Sequence, residues 1–253
     1  MQIEGISAVV TGAASGLGAA AARALAGRGA SVIGLDLPAA IERAGAVPPG
    51  VRYAAADVAS ADDVARALGT LDPDGPPLRL AVNCAGVAPA ARLVSARGVH
   101  DLDLFRRAIE VNLIGTFNVM RLAAAAMADC DPDADGQRGV IINTASIAAF
   151  DGQIGQVAYA ASKGGVVAMT LPAARDLARS GIRVNTIAPG IVDTPMLAGL
   201  GEETREALAR DIPFPARLAH PDEYAQLVLM IAEHDYLNGE TIRMDAALRM
   251  PPQ

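Results

Sequence analysis

Aromatic side chains, cysteine and lysine are all scarce in this chain. Phe, Trp and Tyr make up 3% of its 253 residues, while 52% are hydrophobic. An interior with so few rings must be filled by Ala, Val, Leu and Gly, which suits close-packed helices over buried parallel strands. Two cysteines, Cys84 and Cys130, are too few for a disulfide framework and point to a reducing compartment, the cytoplasm. His100, His220 and His234 have no metal-ligand spacing, so neither a metal site nor a Ser-His-Asp triad is expected. Basic residues are outnumbered, with a formal net charge of −7 and a pI near 5.0. No basic cluster offsets that acidity, which argues against a nucleic acid or an anionic membrane as partner. No run approaches the ~20 apolar residues of a bilayer span. A strand-like run begins almost directly after Met1, so no signal or transit peptide is expected.

The scarcity of lysine is itself informative. Lys163 is alone; the other twenty Lys+Arg positions are arginine. Where a generic cation serves, this chain uses arginine. One retained lysine marks a place that needs a compact ammonium, which a planar guanidinium cannot imitate. Lys163 stands four residues after Tyr159. On a helix that spacing stacks both side chains on one face, about 6 Å apart along the axis. A phenol with a reference pKa of about 10 exchanges protons poorly near neutrality, and an ammonium beside it favours the phenolate. Ser146 precedes Tyr159 by thirteen residues and follows the apolar run Val140-Ile141-Ile142, so it ends a strand facing the same space. The bland alternative is a solvated lysine beside a core tyrosine. The single-lysine background and the surrounding motifs weigh against it.

Apolar, β-branched runs predict strands over 6–11, 31–35, 51–55, 79–83, 140–143, 182–187 and 240–244. Helices are predicted over 19–28, 38–46, 60–71, 101–128, 157–179 and 221–233, with Pro172 as an irregularity in the fifth. The stretch 87–99 reads as irregular, and 192–217 as a Pro-punctuated helical excursion that shapes the substrate side. Strands alternating with helices, with no linker or repeat, predict an α/β fold. It is one doubly wound parallel sheet with helices on both faces, forming a single dinucleotide-binding domain over residues 1–253.

Between the first strand and first helix lies Gly12-x-x-x-Gly16-x-Gly18. Glycines there let the backbone turn sharply and approach a pyrophosphate that the helix N-terminus stabilises, although the spacing departs from G-x-G-x-x-G. Asp36 ends the second strand, 24 residues past Gly12. A carboxylate there accepts from ribose hydroxyls and repels a 2′-phosphate, and no Arg or Lys occurs in the turn, so NAD is expected over NADP. Asp57 ends the third strand and either accepts from an adenine amino group or closes a solvated turn. Asn83-Cys84-Ala85-Gly86 ends the fourth strand with small residues that let backbone approach a ribose. Asn112 falls mid-helix, where asparagine is unfavourable. It either orders a water near Lys163 or hydrogen-bonds within the core.

Thr11-Gly12-x3-Gly16-x-Gly18, Asp57, Asn83-x-Ala85-Gly86, Asn112, Ser146, Tyr159-x3-Lys163 and Pro189-Gly190 together resemble the short-chain dehydrogenase/reductase superfamily across essentially the whole chain. Within it, the sequence is similar to the type II 3-hydroxyacyl-CoA dehydrogenases, also described as 17β-hydroxysteroid dehydrogenase type 10. Leu35-Asp36-Leu37-Pro38, Cys84, Gly115-Thr116-Phe117-Asn118-Val119, the run from Gly136 to Ser146, Gly152-Gln153, Asn238-Gly239-Glu240 and Ile242-Arg243 carry that similarity. The resemblance implies a Rossmann-type fold, usually a homotetramer, and a role in fatty acid metabolism on an acyl-CoA thioester. It implies Tyr159 as general acid/base, Lys163 as the group that lowers its pKa and binds the nicotinamide ribose, Ser146 as the group orienting the substrate oxygen, and Asn112 as holder of a relay water. It implies NAD contacts at Ser15, Leu17, Asp36, Asp57, Val58, Cys84, Val192 and Thr194, and a substrate contact at Gln153. Val192-Asp193 departs from the aromatic and small residue expected in that loop, so the acyl pocket follows less directly than the cofactor site. Alternatives of the same chemistry are a short-chain alcohol or hydroxysteroid dehydrogenase and a 3-ketoacyl carrier-protein reductase. A non-catalytic NAD-binding scaffold is the alternative outside it.

Overall fold

The computed structural model describes residues 1–96, 98–197 and 201–252. Five-residue β1 (Ser7–Thr11) is buried at every position, as a strand covered on both faces must be. It is followed by α1 (Gly16–Gly27), β2 (Ser31–Asp36), α2 (Pro38–Arg43), β3 (Val51–Ala55), α3 (Ala61–Leu68) and β4 (Leu78–Asn83). A small antiparallel hairpin, β5 (Val94–Ser95) and β6 (Gly98–Val99), precedes α4 (Leu102–Ile109), a π turn at Glu110–Ile114 and α5 (Gly115–Ala128). Then come β7 (Gly139–Thr144), α6 (Val157–Leu177), β8 (Ile182–Pro189), α7 (Glu202–Arg210), α8 (Pro221–Glu233) and β9 (Thr241–Met244).

Seven of these strands form one parallel sheet in the order β3-β2-β1-β4-β7-β8-β9. Side chains alternate between its faces with period two. Ala8, Val10, Leu80, Val82, Val140, Ile142 and Ile187 face a core shared with α1 and α8. Their neighbours Val9, Ala81, Ile141 and Val184 face a second core shared with α5 and α6. Strand order reverses between β1 and β4, which opens a crevice at the carboxyl ends of those two strands.

Several expected elements change in detail. The hairpin β5–β6 lies inside the stretch expected to be irregular. The helix expected over 60–71 ends at Leu68, with Gly69 closing it and the Ser60 hydroxyl accepting from Asp63 N–H at the other end. The run over 101–128 is interrupted by the π turn, and α6 continues through Pro172. The excursion carries one helix, α7, among its described residues. Leu102–Ala128 is long and apolar enough by composition to cross a bilayer, but half of its apolar window is buried inside the fold, as in a core helix.

Candidate active site

The glycine turn sits at the mouth of the crevice. Gly12 has φ +65°, and a Cβ on it would lie 2.9 Å from Ala85 N. A Cβ on Gly18 would lie 2.2 Å from the carbonyl oxygen of Gly12, so α1 can pack this tightly on the turn only with hydrogen there. Thr11 locks the two sides of the crevice together: its Oγ1 accepts from both Cys84 N–H and Ala85 N–H at 3.0 Å. Ser15 is the N-cap of α1 but makes no side-chain cap, and the first turn carries no acidic residue. Its N–H groups are therefore open to an anion, which the helix dipole also favours. Gly16 and Leu17 complete that turn, and Thr194 from the loop after β8 comes over it, 3.5 Å from where a Gly16 Cβ would be.

Asp36 is held as a carboxylate platform at the end of β2. It accepts from Ala14 N–H at 3.0 Å and from Leu37 N–H at 2.8 Å. Asp57 is exposed; its Oδ1 accepts from Ala59 N–H and its own N–H donates to Asp63. Val58 is buried against α5, and its carbonyl accepts from Asn118 Nδ2 at 2.8 Å. Asn83 is buried and donates to Asn143 at 2.9 Å. Pro189 ends β8, with Gly190 N–H bonded to the Met244 carbonyl at 2.9 Å. Val192 is buried and bridged to Ala219.

Tyr159 and Lys163 lie on the first turns of α6, with the amine 5.9 Å from the ring centre. Lys163 is buried, and its Nζ donates to the Thr144 carbonyl at 2.8 Å, which leaves two N–H donors for a ligand. Burial lowers its pKa to about 8. The expected lowering of the Tyr159 pKa by Lys163 is not what this structure shows. Burial raises the phenol's pKa, and the opposing influence is a hydrogen bond with the Ser146 hydroxyl. The reason is geometric: the amine turns to the Thr144 carbonyl rather than to the phenol oxygen. Ser146 stands two residues past the end of β7, is buried, and also accepts from Ala148 N–H at 3.1 Å.

Asn112 is fully buried in the π turn. It accepts from Val87 N–H and donates to the Val87 carbonyl, both at 2.8 Å, and donates to Ser162 Oγ at 2.9 Å. These bonds tie the loop after β4 to α6. Gly86 keeps open a small space beside it, since a Cβ there would lie 3.1 Å from Asn112 Oδ1 and 3.6 Å from Lys163 Nζ. Gln153 donates to the Pro251 carbonyl at 3.2 Å and lines a cavity of about 520 Å³ with Leu93, Val94, Ile154, Val157 and Ala160. The sequence reading missed Thr144 and Tyr224 as parts of this region. Thr144 had a local signal, two residues before Ser146 at the end of an apolar run; Tyr224 had only its rarity, as one of four tyrosines.

A doubly wound sheet with a glycine turn, a strand-end carboxylate and a buried lysine beside a tyrosine defines a nicotinamide-dependent oxidoreductase site. The chain belongs to the short chain dehydrogenase family, whose model matches residues 7–205. It is 54% identical to the 3-hydroxyacyl-CoA dehydrogenase type-2 of Drosophila melanogaster, over 99% of this chain and 100% of that one. It is 53% identical to the human protein of the same name, over 99% of this chain and 97% of that one. The crystal structure of 3-hydroxyacyl-CoA dehydrogenase type-2 from Mycobacterium avium superposes with a TM-score of 0.91 at 42% identity, covering 100% of this chain and 99% of the other. The chain is an oxidoreductase, and its family implies a nicotinamide cofactor. The uncapped turn of α1, the glycine cradle and the open donors of Lys163 fit such a group.

Proposed function

We propose that this protein interconverts 3-hydroxyacyl-CoA and 3-ketoacyl-CoA with NAD. The observation that carries the reading is the convergence of Ser146, Tyr159 and Lys163 beyond the carboxyl end of β7, where Val157 and Ala160, on either side of Tyr159 in α6, line an apolar cavity with Gln153. Full-length similarity to proteins named for that activity supports it. The bound nicotinamide accepts or supplies the hydride.

The chain's own residues manage the proton and the geometry. Ser146 donates to the substrate oxygen and holds it toward Tyr159. Tyr159 takes the hydroxyl proton during oxidation and returns it during reduction. The two open donors of Lys163 hold the nicotinamide ribose hydroxyls, and its positive charge favours the phenolate once it is held there. Asn112 fixes the loop at Val87 so that Gly86 leaves room beside the amine. The apolar walls formed by Leu93, Val94, Ile154 and Val157 receive the acyl chain. Asp36 accepts from the adenosine ribose hydroxyls and repels a 2′-phosphate, which selects NAD.

The same reading places the protein in fatty acid metabolism in the cytoplasm, as a homotetramer. Exposed Leu102, Ile114 and Phe117 along the 102–128 stretch support assembly, since further copies would cover them. A side-by-side assay of acetoacetyl-CoA, an acetoacetyl carrier-protein thioester and a hydroxysteroid, each with both cofactors, tests the function. The CoA thioester with NADH is expected to turn over fastest. A preference for the carrier-protein thioester with NADPH contradicts the reading.

A further inference from the structure

Tyr224 heads the fully buried side chains by volume, and it does so on α8, across the sheet from α6. Its hydroxyl lies 2.7 Å from Thr144 Oγ1 and 3.3 Å from Cys84 Sγ, and Thr144 Oγ1 lies 3.6 Å from the same sulfur. The three groups close a ring: the threonine hydroxyl donates to the sulfur, and the one hydrogen arrangement that then satisfies both remaining contacts has the phenol donating to the threonine oxygen and the thiol to the phenol oxygen. Each member donates once and accepts once, an arrangement in which hydrogen bonds strengthen one another.

Thr144 is the last residue of β7. Val140 and Ile142 of that strand face the core under α1 and α8, so by the period of two the Thr144 side chain points the same way. Its carbonyl accepts from Lys163 Nζ at 2.8 Å, reached from α6 on the other face. One residue therefore joins α8 to the amine through the thickness of the sheet.

We propose that Tyr224 is a positioning residue for Lys163: its hydroxyl fixes Thr144, and the Thr144 carbonyl fixes the place and the proton of the amine. The titratable groups around that amine are few. Tyr159 comes from its own helix, Cys84 from the end of β4, and Tyr224 from α8 through Thr144. From β7 and the π turn come only the uncharged Thr144 and Asn112. Among the described residues no carboxylate shifts the amine; the one charge-capable partner acting on it is Cys84, and burial raises that thiol's pKa and keeps it neutral. A carbonyl oxygen that accepts from an ammonium favours the charged form. By geometry, the Thr144 carbonyl, 2.8 Å from Nζ, is the fixed acceptor that would hold the proton on Lys163.

The role in turnover rests on the proposed function, but the titration of the amine does not. Lys163 is the only lysine, so ¹⁵N-labelled lysine gives a single side-chain signal from the intact protein. Tyr224→Phe keeps the ring and its packing and deletes only the hydroxyl. The signal is expected to titrate near pH 8 in the wild type. In Tyr224→Phe the midpoint falls by at least about half a pH unit, a threefold change in the protonation constant. Thr144→Val reproduces that shift, and Thr144→Ser, which keeps a hydroxyl, restores the wild-type midpoint. In the acetoacetyl-CoA assay, Tyr224→Phe lowers kcat several-fold and leaves KM for the thioester unchanged. Superimposable lysine titrations in the wild type, Tyr224→Phe and Thr144→Val overturn the proposal, even where the variants melt at lower temperature. A wild type that ignores the thioester overturns the proposed function, while the lysine titration still decides the role of Tyr224.

Discussion

The amine of Lys163 and the ring of Tyr159 share one face of α6, 5.9 Å apart, and burial shifts both toward their neutral forms. The protein thus holds two neighbouring titratable groups in surroundings that resist charge. A buried ammonium without a carboxylate partner destabilises the fold that carries it. The role proposed for it in turnover, rather than stability, accounts for its presence.

That cost gives the first prediction. The folded pKa of Lys163, about 8, lies below its ordinary 10.5. Between those values the unfolded chain binds more protons, so stability contributed by this group rises with pH across that window and is lowest below it. Lys163→Met should stabilise the cofactor-free protein by about 1–3 kcal/mol at neutral pH, the loss of the Thr144 bond being included. The gain should shrink toward pH 10, and turnover should vanish. Denaturant unfolding at several pH values measures it.

Gly18→Ala tests the glycine cradle. The added Cβ would stand 2.2 Å from the Gly12 carbonyl oxygen, a backbone atom that cannot swing aside. Overpacking of this kind should destabilise the protein by about 3 kcal/mol or more. Nicotinamide cofactor affinity should fall with it. Thermal unfolding and fluorescence titration with NADH report the two effects separately.

Asp36→Ser tests cofactor choice. The carboxylate is anchored by Ala14 and Leu37, so it is already placed before any ligand arrives. Removing its charge should raise the NADP-to-NAD ratio of kcat/KM on the order of 100-fold, equivalent to about 2.7 kcal/mol of lost repulsion. Steady-state kinetics with both cofactors gives the ratio.

Much of this architecture is written locally in the chain. Each sheet strand is an apolar run bounded by turn residues, and Gly12, Asp36, Ser146, Tyr159 and Lys163 stand at strand or helix ends where short-range pattern finds them. The π turn was hidden because Glu110–Ile114 continues the apolar periodicity of its flanking helices; only Asn112 disturbs it. The hairpin at 94–99 has two-residue strands, too short for alternation to register. The Thr144–Tyr224 contact spans 80 positions and is set by how α8 packs under the sheet, which no local pattern encodes. That Lys163 does not act on the Tyr159 phenol in this structure has a similar cause. Helical spacing puts the amine beside the ring, but the Thr144 carbonyl, 19 residues before Lys163, decides where the amine points.

The most direct measurement is NADH oxidation by acetoacetyl-CoA with wild-type protein and Tyr159→Phe, each paired with NADH binding in the absence of thioester. Loss of one phenol oxygen should cut kcat by about 10³-fold or more while NADH still binds. Turnover by Tyr159→Phe at the wild-type rate would contradict the account.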